Sequence, residues 1–285
     1  MSTAGRDASD YDAISYTALK VLQQRARDCE IPMCRELADA AGIPWQTSWL
    51  RSTLKRLIGG KVQSGLYLQL RHDAISRALE AYAGCAVLEL SAGYGTRGIN
   101  ECSAREAYIE TDLPSLVLRK AELVGRVRDG NTVPNHYFSA LNVMERSDFD
   151  AMQDFVGRLG LSKPLVIIHE GLLMYFNDQE LETVRDGISR LMRSQAQGAV
   201  WLTPDFSERD IDQRLGQRLL SLKLRRRVGR RLNYFSDNDA VEKFLKNGGL
   251  RCDWLPSPFS GRDRAARDYA EFFRVHRITL SPEAP

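Results

Sequence analysis

The sequence has only five cysteines, Cys29, Cys34, Cys85, Cys102 and Cys252, an odd number with no CxxC spacing. That argues against both a disulfide framework and a thiolate metal site, and it fits a reducing compartment, so a cytoplasmic protein is expected. No window approaches 18 consecutive apolar residues, so no membrane partner is expected. The polar first ten residues lack the apolar centre of a secretory signal. The four histidines, His72, His136, His169 and His276, show no metal-ligand spacing, and no metal is expected. A G-x-S-x-G elbow is absent, which removes the usual support for a hydrolase triad. Charge of one sign is scarce as well: 40 Lys and Arg against 37 Asp and Glu leave a formal net charge of +3. A dedicated nucleic-acid binder needs a more concentrated basic excess.

What is present is the composition of an ordinary globular protein, 285 residues with 43% apolar and 27% charged side chains. Through residues 11–83 the apolar positions recur at helical spacing, as in Ile14, Leu19 and Leu22, then Leu37 and Ala41, then Leu50, Leu54 and Leu57. Breaks at Gly42-Pro44 and Gly59-Gly60 predict three or four short helices leading into a longer one over residues 68–82. After Gly84, short apolar runs at 86–90, 107–111, 136–141, 165–169 and 199–203 alternate with helical stretches at 115–127, 148–159 and 178–193, the last with Asp178 as its N-cap. That alternation predicts a mostly parallel sheet with helical crossovers. Residues 207–231 form a basic helical interruption, followed by a helix over 237–247 and two closing strands, 250–255 and 272–280, expected as an antiparallel pair at the sheet edge. The division predicted is a helical region, 1–83, and an α/β Rossmann-like domain, 84–285, with a helical insertion at about 207–235. Residues 281–285 are expected to fray.

Small residues in Ser91-Ala92-Gly93-Tyr94-Gly95 follow the first strand, where they let the backbone approach a ligand. About 20 residues on, the second strand ends in Glu110-Thr111-Asp112, the place where a Rossmann-type domain sets a carboxylate against ribose hydroxyls. Alone, the glycine segment also reads as a turn that merely fits a helix to a sheet. Residues 93–98 match G-x-G-x-x-G literally, which keeps a dinucleotide-binding dehydrogenase open at this point.

The order of segments resembles the leucine carboxyl methyltransferase-like family of class I methyltransferases, which includes proteins described as polyketide O-methyltransferases. Residues 87–97 resemble the family's L-G-A-G-x-D-T-R loop, and residues 108–120 its E-x-D-x-P-x-x-V-x-x-K segment. Residues 167–176 resemble its E-G-x-x-x-Y segment, and Leu70-Arg71-His72-Asp73 the Arg-bearing helix before the first strand. The resemblance covers about residues 65–205. It departs from the family pattern at Ser91, where Gly is usual, and at Gly95, where Asp is usual.

The resemblance implies S-adenosylmethionine as cofactor and a small-molecule substrate. By it, Arg71 would pair with the cofactor's carboxylate, a task suited to a guanidinium fork. Asp112 with Leu113 would hold the ribose, and Asn142 with Val143 would meet adenine. Glu170 would take the ammonium or balance the sulfonium. Ser91, Gly93 and Tyr94 would belong to the cofactor loop. Tyr175, and Tyr94 again, would line the sulfonium pocket, with Tyr175 the candidate catalytic residue. Each has a plainer reading: Arg71 on a helix face, Asp112 capping the helix near Ser115, Asn142 forming a turn, and the two tyrosines as ordinary packing. O- or carboxyl methylation of a specialised metabolite is expected. Two alternatives stand beside it. One is cyclisation of S-adenosylmethionine to azetidine-2-carboxylate with release of methylthioadenosine. The other is a catalytically silent cofactor- or RNA-binding protein using the basic run at 225–231, which also reads as a solvated helix face or a lid for an acidic substrate.

Overall fold

The computed structural model describes residues 8–46, 64–207, 232–255 and 274–282, with side chains from residue 17 onward except those of residues 64 and 66. Seven strands form one sheet: β1 (Val87–Glu89), β2 (Tyr108–Asp112), β3 (His136–Ala140), β4 (Leu165–Ile168), β5 (Ala199–Thr203), β6 (Leu250–Trp254) and β7 (His276–Leu280). Their order is β3-β2-β1-β4-β5-β7-β6, parallel except for β7, which runs antiparallel to both β5 and β6. This is the Rossmann-like sheet with an antiparallel edge that the strand pattern predicts. Strand order reverses between β1 and β4, and in such sheets the crevice beyond the carboxyl ends at that reversal is where ligands bind.

Strand residues alternate between two apolar cores, as the period of two requires. Leu88, Ile109, Ile167 and Trp201 face α6 (Arg146–Leu159), α7 (Asp178–Arg193) and α8 (Asn238–Asn247). Val87, Tyr108, Val166 and Leu202 face α3 (Ser64–Glu80) through Leu70, Ile75 and Leu79. A third cluster joins α1 (Ala8–Asp28) and α2 (Cys34–Ala40) to α5 (Pro114–Val127), through Leu22, Ala26 and Leu37 against Leu116 and Leu123. A short α4 (Arg97–Glu101) follows the glycine loop.

The structure corrects several expectations. The N-terminal stretch opens with a helix of 21 residues, longer than the short ones expected, and the seven-residue α2 that follows ends just before the predicted Gly42-Pro44 break. The helix expected over 68–82 begins four residues earlier and ends at Glu80. The N-cap of α7 is Asn177, whose Oδ1 accepts from Glu180 N at 2.9 Å while Glu180 Oε2 accepts from Asn177 N at 2.9 Å. This reciprocal box leaves Asp178 in the first turn, where it accepts from Asn233 Nδ2 at 2.8 Å. The Gly59-Gly60 break, most of the basic interruption and the whole run at 225–231 lie outside the described residues. None of the described helices is long and apolar enough to cross a membrane.

Candidate functional site

Register sets the site. Glu89 of β1 is level with Glu110 of β2 and Ile168 of β4. Ser91, Asp112 and Glu170, each two residues further on, therefore stand side by side at the carboxyl edge of the sheet. Asp112 is also level with Ala140 of β3, which brings Asn142 to the same edge.

The glycine loop is built on two left-handed residues, Ser91 at φ 50° and Gly93 at φ 51°. Ser91 thus occupies a conformation that favours glycine, where an L side chain costs about 1–2 kcal/mol. Asp112 Oδ2 accepts from Gly93 N at 2.8 Å, and Oδ1 accepts from Leu113 N at 2.8 Å. Each oxygen keeps a second lone pair for another donor. The carboxylate is not a cap for α5, whose N-cap is Leu113 without a side-chain bond. Burial pushes the Asp112 carboxyl up to about 6, against the two backbone donors.

The second half of the site is a buried charge cluster. Glu170 lies just beyond β4 and accepts from Arg71 Nε at 3.0 Å, from Arg97 Nη2 at 3.1 Å, and from Arg25 Nη2. Its side chain is 7% exposed, and those of the arginines are 8% or less. Burial pushes the Glu170 carboxyl up, but Arg25, Arg71 and Arg97 outweigh it and hold the group well below the usual carboxylate range. Arg71 also donates to Tyr67 Oη at 3.1 Å. Arg97 reaches back to His72 O at 3.1 Å and to Ser76 Oγ, tying α4 to α3. Gly171, at φ 71°, leaves room for Arg71: a Cβ there would sit 2.9 Å from its Nη1.

Glu89, the carboxylate at the end of β1, accepts from Tyr108 Oη at 2.6 Å and is likewise buried. Helix α1 covers the loop: a Cβ on Gly93 would meet Ala18 Cβ at 3.6 Å, and one on Gly95 would lie 3.6 Å from Arg25 Nη1 and 3.8 Å from Glu89 Oε1. Where the family pattern has Asp, Gly95 therefore sits between a guanidinium and a carboxylate. Thr96 Oγ1 donates to Pro32 O at 2.8 Å, which fastens the far end of the loop to the same N-terminal region.

The structure brings Arg71, Ser91, Gly93, Asp112, Leu113 and Glu170 to one edge, with Leu113 half-buried at the head of α5. It pairs Arg71 with Glu170 rather than leaving the two apart for opposite ends of a ligand. Asn142 is a turn former: its Oδ1 accepts from Met144 N at 3.1 Å, and its own N donates to Asp148 Oδ2 at 2.8 Å. Val143 is buried in the first core. Tyr94 is packed in the third cluster with Leu22, Leu68 and Leu116. Tyr175 is half-buried at the end of a 3-10 turn, Leu173–Tyr175, not at the start of α7. Glu89 and Arg97 lie within the 87–97 segment but have no separate role in the sequence reading, and Arg25 is not marked by it. Glu89 carried a signal, a lone carboxylate inside an apolar strand, which is costly unless partnered.

No protein-family description matches the chain, and no curated protein matches it. Solved structures do. A DUF574-family protein from Streptomyces avermitilis superposes with a TM-score of 0.55 at 12% identity, covering 92% of this chain and 96% of the other. A candidate methyltransferase from Thermobifida fusca YX gives 0.53 at 16% identity, covering 98% and 99%. A candidate O-methyltransferase from Nostoc punctiforme gives 0.48 at 13% identity over 77% of this chain, which spans 60% of that protein's length. The chain has a Rossmann-like methyltransferase fold.

Proposed function

We propose that the chain binds S-adenosylmethionine at the carboxyl edge of β1, β2 and β4 and catalyses methyl transfer to an oxygen of a small molecule, a hydroxyl or a carboxylate. The single observation that carries this reading is Asp112. Its carboxylate is locked to the glycine loop through Gly93 N while each oxygen retains a lone pair, the arrangement that a ribose diol needs. The charge cluster fits the other end of the same ligand. Three guanidiniums converge on Glu170, and such a cluster offers charge-assisted N–H donors to an amino-acid carboxylate. In this reading Arg25 joins Arg71 in recognising that carboxylate, and Glu170 orders the arginines instead of receiving the ammonium. Leu113, half-buried at the head of α5, offers apolar surface to the purine, and Ser91 and Gly93 bring backbone close to the nucleoside.

The bound sulfonium supplies an activated methyl group. The residues here orient it, and orientation in a water-poor site is a large share of such a rate enhancement. A carboxylate acceptor attacks without a base, which agrees with a site edge occupied by structural carboxylates and arginines. Helix α1 lies over the glycine loop, with Ala18 Cβ 3.6 Å from where a Gly93 Cβ would stand. Three of the four segments that resemble the leucine carboxyl methyltransferase-like family supply Arg71, Asp112 and Glu170, and that resemblance is what suggests an oxygen acceptor.

The test is product identity. Purified protein is incubated with S-adenosylmethionine alone and with a panel of phenols and carboxylic acids. S-adenosylhomocysteine formed only with an acceptor is the expected result. Methylthioadenosine and azetidine-2-carboxylate formed without one would replace methyl transfer by cyclisation, and salt-sensitive RNA binding with no nucleoside product would overturn both.

A further inference from the structure

Glu170 meets three arginines only if the turn that carries it is held still. Consecutive residues at the end of β4 point to opposite faces: Glu170 toward the arginines, His169 toward Trp201 in the first core, with ring centroids 5.5 Å apart. What fixes this turn is Asp205, which follows β5 in a 3-10 turn, Asp205–Ser207. Asp205 Oδ1 accepts from Gly171 N at 2.8 Å, and Oδ2 accepts from Leu172 N at 2.7 Å and Leu173 N at 3.0 Å. Oδ2 also lies 3.0 Å from His169 Nδ1, which carries the proton because an ionised carboxylate can only accept. Thr203 Oγ1, 3.2 Å from the same ring nitrogen, accepts from Asp205 N at 3.1 Å. The side chains of His169 and Asp205 are fully buried.

We propose that Asp205 is a positioning residue for the cofactor site, acting through the turn Gly171–Leu173 to set Glu170 among Arg25, Arg71 and Arg97. The proposal rests on the reading that this edge binds S-adenosylmethionine. Three successive N–H groups aimed at one carboxylate make the turn rigid, since each would otherwise be buried without an acceptor. With Gly171 at φ 71°, the chain reverses immediately after Glu170. Rotating that reversal to let Glu170 leave the arginines would break the bonds to Asp205. The Asp205 charge also acts on Arg71; losing it would by itself lower the Glu170 midpoint, so a rise in that midpoint reports the geometry of the turn.

The test is Asp205→Asn in the full chain. Whichever way the new amide turns, its NH₂ faces at least one backbone N–H, so the turn loosens without a change in side-chain size. Two readouts are taken: S-adenosylmethionine affinity by calorimetry, and the acid titration of the Glu170 carboxyl by carbon NMR. Affinity should fall at least tenfold, and the Glu170 midpoint should rise toward the ordinary carboxylate range. A folded variant in which both are unchanged overturns the proposal. If the wild type binds no S-adenosylmethionine, the cofactor reading fails, and the Glu170 titration still decides whether Asp205 positions the carboxylate. Should Asp205→Asn not fold, His169→Gln, which alters one donor and leaves the carboxylate, is measured in the same way, with the same directions expected.

Discussion

Replacing Glu170 by Gln keeps the shape of the side chain and removes the one carboxylate seen to bond to Arg25, Arg71 and Arg97. All four groups are buried, so water cannot take over the lost charge. Deleting one partner of a buried ion pair costs about 3–5 kcal/mol, because it strands the charge left behind. For a chain near this size each kcal/mol moves Tm by about 2–4 °C, which gives a drop on the order of 10 °C at pH 7. The effect has a pH signature. The arginines hold the Glu170 carboxyl below its ordinary range in the folded chain. Its contribution is therefore complete above the unfolded value of about 4.3 and is lost as pH falls toward the folded value. Urea unfolding of wild type and Glu170→Gln should show the full gap at pH 7 and a shrinking gap below about pH 4. A variant within about 1 kcal/mol of wild type at pH 7 would refute the view that this carboxylate orders the cluster.

Other predictions follow from single contacts. The Asp112 carboxyl, raised by burial to about 6, accepts from a pair of hydroxyls best when ionised, because a proton would occupy one of its oxygens, so cofactor affinity should weaken as pH falls below 6; Asp112→Asn should flatten that dependence in calorimetry run across pH 5–7. A Cβ at Gly98 would lie 2.3 Å from Glu110 Oε1 and 2.8 Å from His136 Nε2. Those groups form a buried cluster with Lys120, so Gly98→Ala should destabilise by about 1–3 kcal/mol in denaturant unfolding. Ser91 at φ 50° predicts that Ser91→Gly is neutral or slightly stabilising, whereas Ser91→Val lowers stability by more than about 1 kcal/mol.

The strands were legible because each is a local apolar run with a clear end, and the edge residues Asp112 and Glu170 were legible because they are polar groups placed at those ends. The edges of helices were less so: the capping box of Asn177 with Glu180 is a reciprocal arrangement that Asp178, one residue on, mimics in composition. The N-terminal helix was harder still, since it packs on α2 and on α3, which begins 36 residues after the helix ends. The charge cluster could not be read in advance. Arg25 and Glu170 are 145 residues apart, and Arg71 and Glu170 are 99 apart, so nothing local marks them as partners. Arg71 read by itself invites a ligand carboxylate; beside Glu170 it becomes part of an ordered set. Asp205 was hidden for the same reason, as its role lies in three backbone N–H groups that composition does not reveal.

Titration calorimetry of the full chain and its Asp112→Ala variant tests most directly whether S-adenosylmethionine binds at Asp112. Loss of two charge-assisted hydrogen bonds, at about 1.5–3 kcal/mol each, predicts one equivalent bound by the wild type and affinity weakened about 100-fold or more in the variant. Absence of binding by the wild type, or equal affinity in the two proteins, would contradict it.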